Sequence, residues 1–106
     1  MNDDKIKQEL QKIIKNEYDS SKLVQREFAE LLCKKQSRIS GILNNSIGTI
    51  SISSLLDFVT KIGWKVETKN HSISRYGFTL KRDSEKYREW KKGVAKMKRL
   101  RTAKIT

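Results

Sequence analysis

The sequence predicts a mainly α-helical fold: four short helices, then a short β-strand or hairpin, then one basic C-terminal helix. Three observations predict it. Apolar residues recur at helical spacing from residue 6 to residue 62, and the period then switches to alternation between 64 and 80. Charge is the third. Residues 1–68 hold 11 Lys/Arg against 9 Asp/Glu, whereas residues 69–106 hold 13 against 3, so most of the net +12 sits in the last third.

The first helix is expected over residues 3–16, where Ile6, Leu10, Ile13 and Ile14 form a stripe. Asp3 and Asp4 stand at the end that favours negative charge. "YDSSK" then breaks the apolar pattern. Residues 24–32, "VQREFAELL", predict a second helix with Phe28, Ala29, Leu31 and Leu32 turned inward. After an interruption at 33–35, Ile39, Ile42 and Leu43 mark a third helix beginning near Gln36. The loop "NNSIGT" follows, rich in residues that tolerate left-handed backbone.

Ser51 is of the right type to cap a fourth helix, and Ile50 can staple onto Leu55 across that cap. Leu55, Leu56, Val59 and Ile62 give its buried face, and Gly63 supplies the stop. Alternation in "WKVETK" (64–69) puts Trp64, Val66 and Thr68 on one side of a strand. Tyr76, Phe78 and Leu80 do the same in "RYGFTLK" (75–81). The connecting "NHSIS" closes a hairpin, or leaves the strands to pair between subunits. Asp83 or Ser84 then caps a last helix, about 85–101, with Tyr87, Trp90, Val94, Met97 and Leu100 as its apolar stripe. The reading divides the chain into a helical unit, 1–63, and a strand-plus-basic-helix segment, 64–106.

Composition excludes several classes of function. A chain of 106 residues has little room for a large catalytic cleft. Its single histidine, His71, sits in a turn-like segment, and Cys33 is alone, so no zinc site of ordinary spacing can be drawn. There is no phosphate-cradling glycine loop and no nucleophile with a plausible base. The expectation is a protein that is not an enzyme and uses neither metal nor cofactor. A lone cysteine suits a reducing compartment. No apolar run approaches the roughly 20 residues of a membrane span, and the polar start "MNDDKIKQEL" does not read as a signal peptide. The expected location is the cytoplasm, without a membrane partner. A balanced unit followed by a strongly basic segment calls for a polyanion.

The spacing between residues 25 and 42 narrows this further. Two short helices joined by three residues, with a small residue inside the first, describe a helix-turn-helix. The helices cross steeply, so the crossing point needs a small side chain, and Ala29 stands there. Counted from Gln25, apolar residues are wanted at the fourth, eighth, fifteenth and eighteenth positions, which are Phe28, Leu32, Ile39 and Ile42. The stretch "LVQREFAELLCKKQSRISGILNNSIGTISISSLLDFVTKIG" (23–63) resembles the Cro/repressor-like helix-turn-helix domain of phage and bacterial regulators. It is most similar to a compact branch found in autoregulatory transcription factors and in antitoxins.

That resemblance implies a role for named residues. The third helix would enter the major groove, N-terminal end first, and Gln36, Ser37, Arg38, Ser40 and Gly41 would meet base edges. Gln36 has the donor–acceptor pair that reads adenine, and Arg38 suits guanine or a phosphate. Gln25, Lys34, Lys35, Asn44 and Asn45 occupy positions that touch the DNA backbone in the family. Two positions depart from the family pattern. Cys33 stands where a glycine is usual in a left-handed turn, and Lys34 stands where a small aliphatic residue is usual.

The basic helix has no counterpart in the minimal domain. Lys86, Arg88, Lys91, Lys92, Lys96, Lys98, Arg99 and Arg101 would add nucleic-acid contacts. Its aromatic stripe would pack on the helical unit or a second subunit; the alternative is base stacking on Trp90 and Tyr87. The expected function is a sequence-specific repressor, homodimeric on an inverted repeat in double-stranded DNA and potentially autoregulatory. The alternatives are an antitoxin, against which the tail's positive sign argues because the toxins concerned are usually basic, and an RNA-binding regulator acting through the tail.

Overall fold

The computed structural model describes residues 3–44, 47–67 and 79–105. Helix α1 runs Asp3–Ser21, α2 Gln25–Leu32, α3 Gln36–Leu43 and α4 Ile52–Ile62; strands β1 (Trp64–Glu67) and β2 (Thr79–Arg82) lead to α5, Ser84–Ile105. This is the mainly α architecture that the periodicity predicts, with its antiparallel strand pair and closing basic helix. His71, Tyr76, Phe78, Thr68 and Asn45 lie outside the described residues, as does the side chain of Arg101.

The first helix is longer than its apolar pattern. "YDSSK" does not end it; the helix continues to Ser21, and Lys22 turns the chain with φ 60°. The buried stripe Ile6, Leu10, Ile14 is extended on the same face by Glu17 and Ser21, polar residues that are nonetheless buried. Each has a partner that makes burial tolerable. Trp90 donates its indole N–H to Glu17 Oε2 at 3.1 Å. Ser21 Oγ donates to the Tyr18 carbonyl at 2.7 Å and accepts the Leu23 N–H at 3.2 Å. One tertiary bond, to Glu17, and two local ones, at Ser21, thus satisfy the polar groups on the buried face beyond the point where apolar periodicity stops.

At the fourth helix the caps are those the sequence names. Ser51 Oγ accepts the Ser54 N–H at 3.1 Å, Ile50 is buried beside it, and Gly63 ends the helix at φ 115°. A methyl group on Gly63 would stand 2.6 Å from Tyr87 Cα, so the start of α5 passes where only glycine leaves space. The strands pair with Trp64 opposite Arg82 and Val66 opposite Leu80. The shared face of Trp64, Val66 and Leu80 thus holds, while β2 reaches Arg82, one residue beyond its expected end. The Arg82 guanidinium lies 4.2 Å from the Trp64 ring and 4.0 Å from the Tyr87 ring. This cation–π clasp joins the strand pair to α5.

Asp83 is the cap of α5: its Oδ1 accepts the Lys86 N–H at 3.2 Å and its carbonyl accepts the Tyr87 N–H at 2.8 Å. The helix then runs to Ile105, past the expected end at 101. Trp90 and Val94 are buried in the same core as Ile14, Phe28, Leu32, Ile39, Leu55, Phe58 and Ile62. Edge-to-face contacts link Tyr18 to Phe28 (5.1 Å between centroids) and Phe28 to Trp90 (5.5 Å). Gly93 allows this docking, since a Cβ there would sit 3.2 Å from Leu31 Cδ2. The aromatic stripe of α5 is therefore packing surface on the helical unit. Trp90, at 6% exposure, has no face left for a base.

Candidate nucleic-acid interface

Helices α2 and α3 owe their geometry to how α2 begins and ends. Val24 is extended at the N-cap and lacks a capping side chain, but its N–H donates to the Glu27 carboxyl at 3.0 Å. At the other end the Cys33 N–H donates to the Glu30 carbonyl (3.1 Å) and the Lys34 N–H to the Ala29 carbonyl (2.9 Å), the paired bonds of a Schellman turn. Cys33 takes φ 57° and ψ 42°. The departure from glycine leaves the left-handed turn in place, at a cost of about 1 kcal/mol.

The second departure has a partner. Lys34 Nζ lies 2.8 Å from Asp57 Oδ2 on α4, with its ammonium 5.5 Å from the Phe58 ring centroid. Lys61 Nζ, 3.8 Å from the same carboxylate oxygen, donates to the Leu32 carbonyl at 3.0 Å. The turn between α2 and α3 is thus held onto α4 by two lysines around one acid. The hydrogen bond from Lys34 holds the Asp57 carboxyl below the usual carboxylate range; the charges of Lys34, Lys61 and Lys86 add to this against partial burial. The aspartate was not legible as a partner, because 23 residues separate it from Lys34.

Packing also sets which face α3 presents. Ile39 and Ile42 are fully buried, and the buried Gln11 side chain donates to the Ile42 carbonyl at 2.7 Å, tying the end of α3 to α1. Gln36, Ser37 and Arg38 are exposed, and Ser40 and Gly41 half-buried. Lys35, extended and exposed, precedes them without capping α3 through its side chain, and no acidic residue occupies the first turn. That end of α3 offers free N–H donors with cationic neighbours, an arrangement suited to phosphate.

The remaining expected residues spread around this centre. Gln25 is half-buried at the start of α2. Asn44 is exposed and donates to Ser40 Oγ at 3.2 Å, so these two polar groups past the middle of α3 orient each other. Sequence reasoning missed Thr49. It joins Lys35, Ser37, Arg38, Gly41 and Ile50 around one shallow hollow beside α3. The loop that carries it is fastened by Lys7, whose ammonium donates to the Gly48 carbonyl at 3.2 Å. Nothing in residue type distinguishes Thr49 from its loop neighbours; only the folded path brings it there.

A family described as a helix-turn-helix domain matches residues 2–69. The chain belongs to this family. Comparison with curated proteins and with solved structures gives no match. The family match covers α1 to β1 and leaves β2 and α5 outside it. Membership supports a DNA-binding regulator. Among the described residues no helix is long and apolar enough to cross a membrane.

Proposed function

We propose that this helix-turn-helix protein is a sequence-specific transcriptional repressor, acting in the cytoplasm as a homodimer on an inverted-repeat operator and controlling its own promoter. The observation that carries the reading is the outward presentation of Gln36, Ser37 and Arg38 from a helix whose opposite face is fully buried. A short helix held at Ile39 and Ile42, with Lys35 at its head, can insert that end into the major groove while flanking groups hold phosphates. In this reading Gln36, Ser37, Arg38, Ser40 and Gly41 face base edges. Gln25, Lys34, Lys35, Asn44 and Asn45 set register on the backbone, with Lys34 leaving or sharing Asp57 to do so. Residues 1–63 do the reading, and residues 64–106 supply further contacts or the dimer interface. Two copies of α3 would enter successive major grooves about 34 Å apart.

Selection from random duplex DNA at about 150 mM salt tests this. The expected outcome is an enriched palindrome whose enrichment disappears in Gln36→Ala/Arg38→Ala. Each lost base contact lowers affinity for the selected site by about 1–3 kcal/mol and leaves random-duplex binding nearly unchanged. Equal affinity for every duplex would overturn the reading.

A further inference from the structure

The way α5 docks fixes which of its residues face solvent. Trp90 and Val94 are buried, Tyr87 and Met97 are half-buried, and Gly93 lies against Leu31. Diametrically opposite, at successive spacings of four, four and three, stand Arg88, Lys92, Lys96 and Arg99, all exposed. They form one straight row, a cation per turn, over about 16 Å of helix. Only Glu89 interrupts it, 3.8 Å from Lys92 in an exposed pair.

A face that served solubility alone would mix both signs. After Glu89 no acidic residue occurs through residue 105, and α5 as a whole holds nine Lys/Arg against two glutamates, a net +7. Like charges one turn apart destabilise a helix. The macrodipole favours cations only in the last turn, so it does not account for Arg88 and Lys92.

We propose that this row is a second, sequence-independent binding surface for the phosphate backbone of duplex DNA. One observation favours a duplex over single-stranded RNA. The aromatic side chains that would stack an unpaired base are committed: Trp90 is in the core, and Tyr87 is half-buried against the Arg82 guanidinium. The row is left with point charges, which recognise a backbone and not a base. The inference stands apart from the operator reading, because it requires no base contact by α3.

The test uses the full chain, since Trp90 and Val94 belong to the core and deleting α5 would strip both from it. Binding to a random-sequence duplex is measured from 50 to 200 mM salt for wild type, for Arg88→Gln/Lys92→Gln/Lys96→Gln/Arg99→Gln, and for Arg88→Lys/Arg99→Lys. Four lost phosphate contacts make the slope of log K against log salt shallower by about 3.6. Wild type then loses about 150-fold more affinity than the glutamine variant across that range. The lysine variant keeps the wild-type slope, and each single glutamine variant shifts it by about 0.9. Circular dichroism melting is expected to be unchanged or slightly raised, as every substituted residue is exposed and the glutamines relieve like-charge repulsion along the helix. An unchanged slope in the glutamine variants overturns the proposal, as does a loss confined to single-stranded RNA or RNA hairpins. Failure of the operator reading would show separately, as wild type without sequence preference.

Discussion

Of the three helix ends in left-handed backbone, those of α2 at Cys33 and α4 at Gly63 could hardly be less alike. Cys33 sits at φ 57° with its side chain exposed, a conformation that an L-residue adopts at modest cost. Gly63 sits at φ 115°, beyond the usual left-handed well, with the backbone of Tyr87 where a methyl group would go. A positive φ is thus tolerable or prohibitive according to what stands in front of it. The turn between α2 and α3 lies open to solvent and is held by charge. The turn that starts the strand pair is closed by steric contact.

The largest effect that separates them is at Gly63. Gly63→Ala combines backbone strain with overpacking against α5, and is expected to lower unfolding stability by about 3 kcal/mol or more in urea titration. A loss below about 1 kcal/mol would show that α5 can shift away, and would break the comparison. The converse change is smaller and opposite in sign. Cys33→Gly relieves the left-handed cost and is expected to raise the urea midpoint by the equivalent of about 0.5–1 kcal/mol, the gain being trimmed by greater freedom in the unfolded chain. A destabilised Cys33→Gly protein would mean that the side chain contributes packing at the turn.

The smallest effect sharpens the charge side. Asp57→Asn removes the acceptor for Lys34 and Lys61, at an expected cost below about 1 kcal/mol because the pair is partly exposed. The Asp57 carboxyl is depressed when folded, so its contribution is complete above the unfolded value near pH 4 and fades as pH falls through the folded value. The stability gap between wild type and Asp57→Asn should therefore be constant from about pH 5 upward and close below pH 4. A gap that widens on acidification would reverse the assignment.

These examples also show what the sequence makes legible. The α2–α3 spacing, the Ser51 cap and the Gly63 stop are local signals, each set by residues within a turn of one another, and the structure repeats them. The apolar pattern ends the first helix too early because Glu17 and Ser21 are polar on a buried face, and the partner of Glu17, Trp90, comes from the far end of the fold. Lys34 reads as a cation free for phosphate until α4 folds back and sets Asp57 beside it. Thr49 reaches the hollow beside α3 only through the path of its loop. Local chemistry was readable; pairings across dozens of residues were not.

The bond from Trp90 to Glu17 spans 73 residues, and Phe28 lies beneath the same indole. On a growing chain, α2 and α3 are made well before the residue that seals them. Until Trp90 and Val94 have cleared the ribosome, the side of Phe28 that the indole covers is left open, and α5 is what completes the core. A nascent chain halted before residue 90 therefore carries α2 and α3 without the aromatic contact that closes over them.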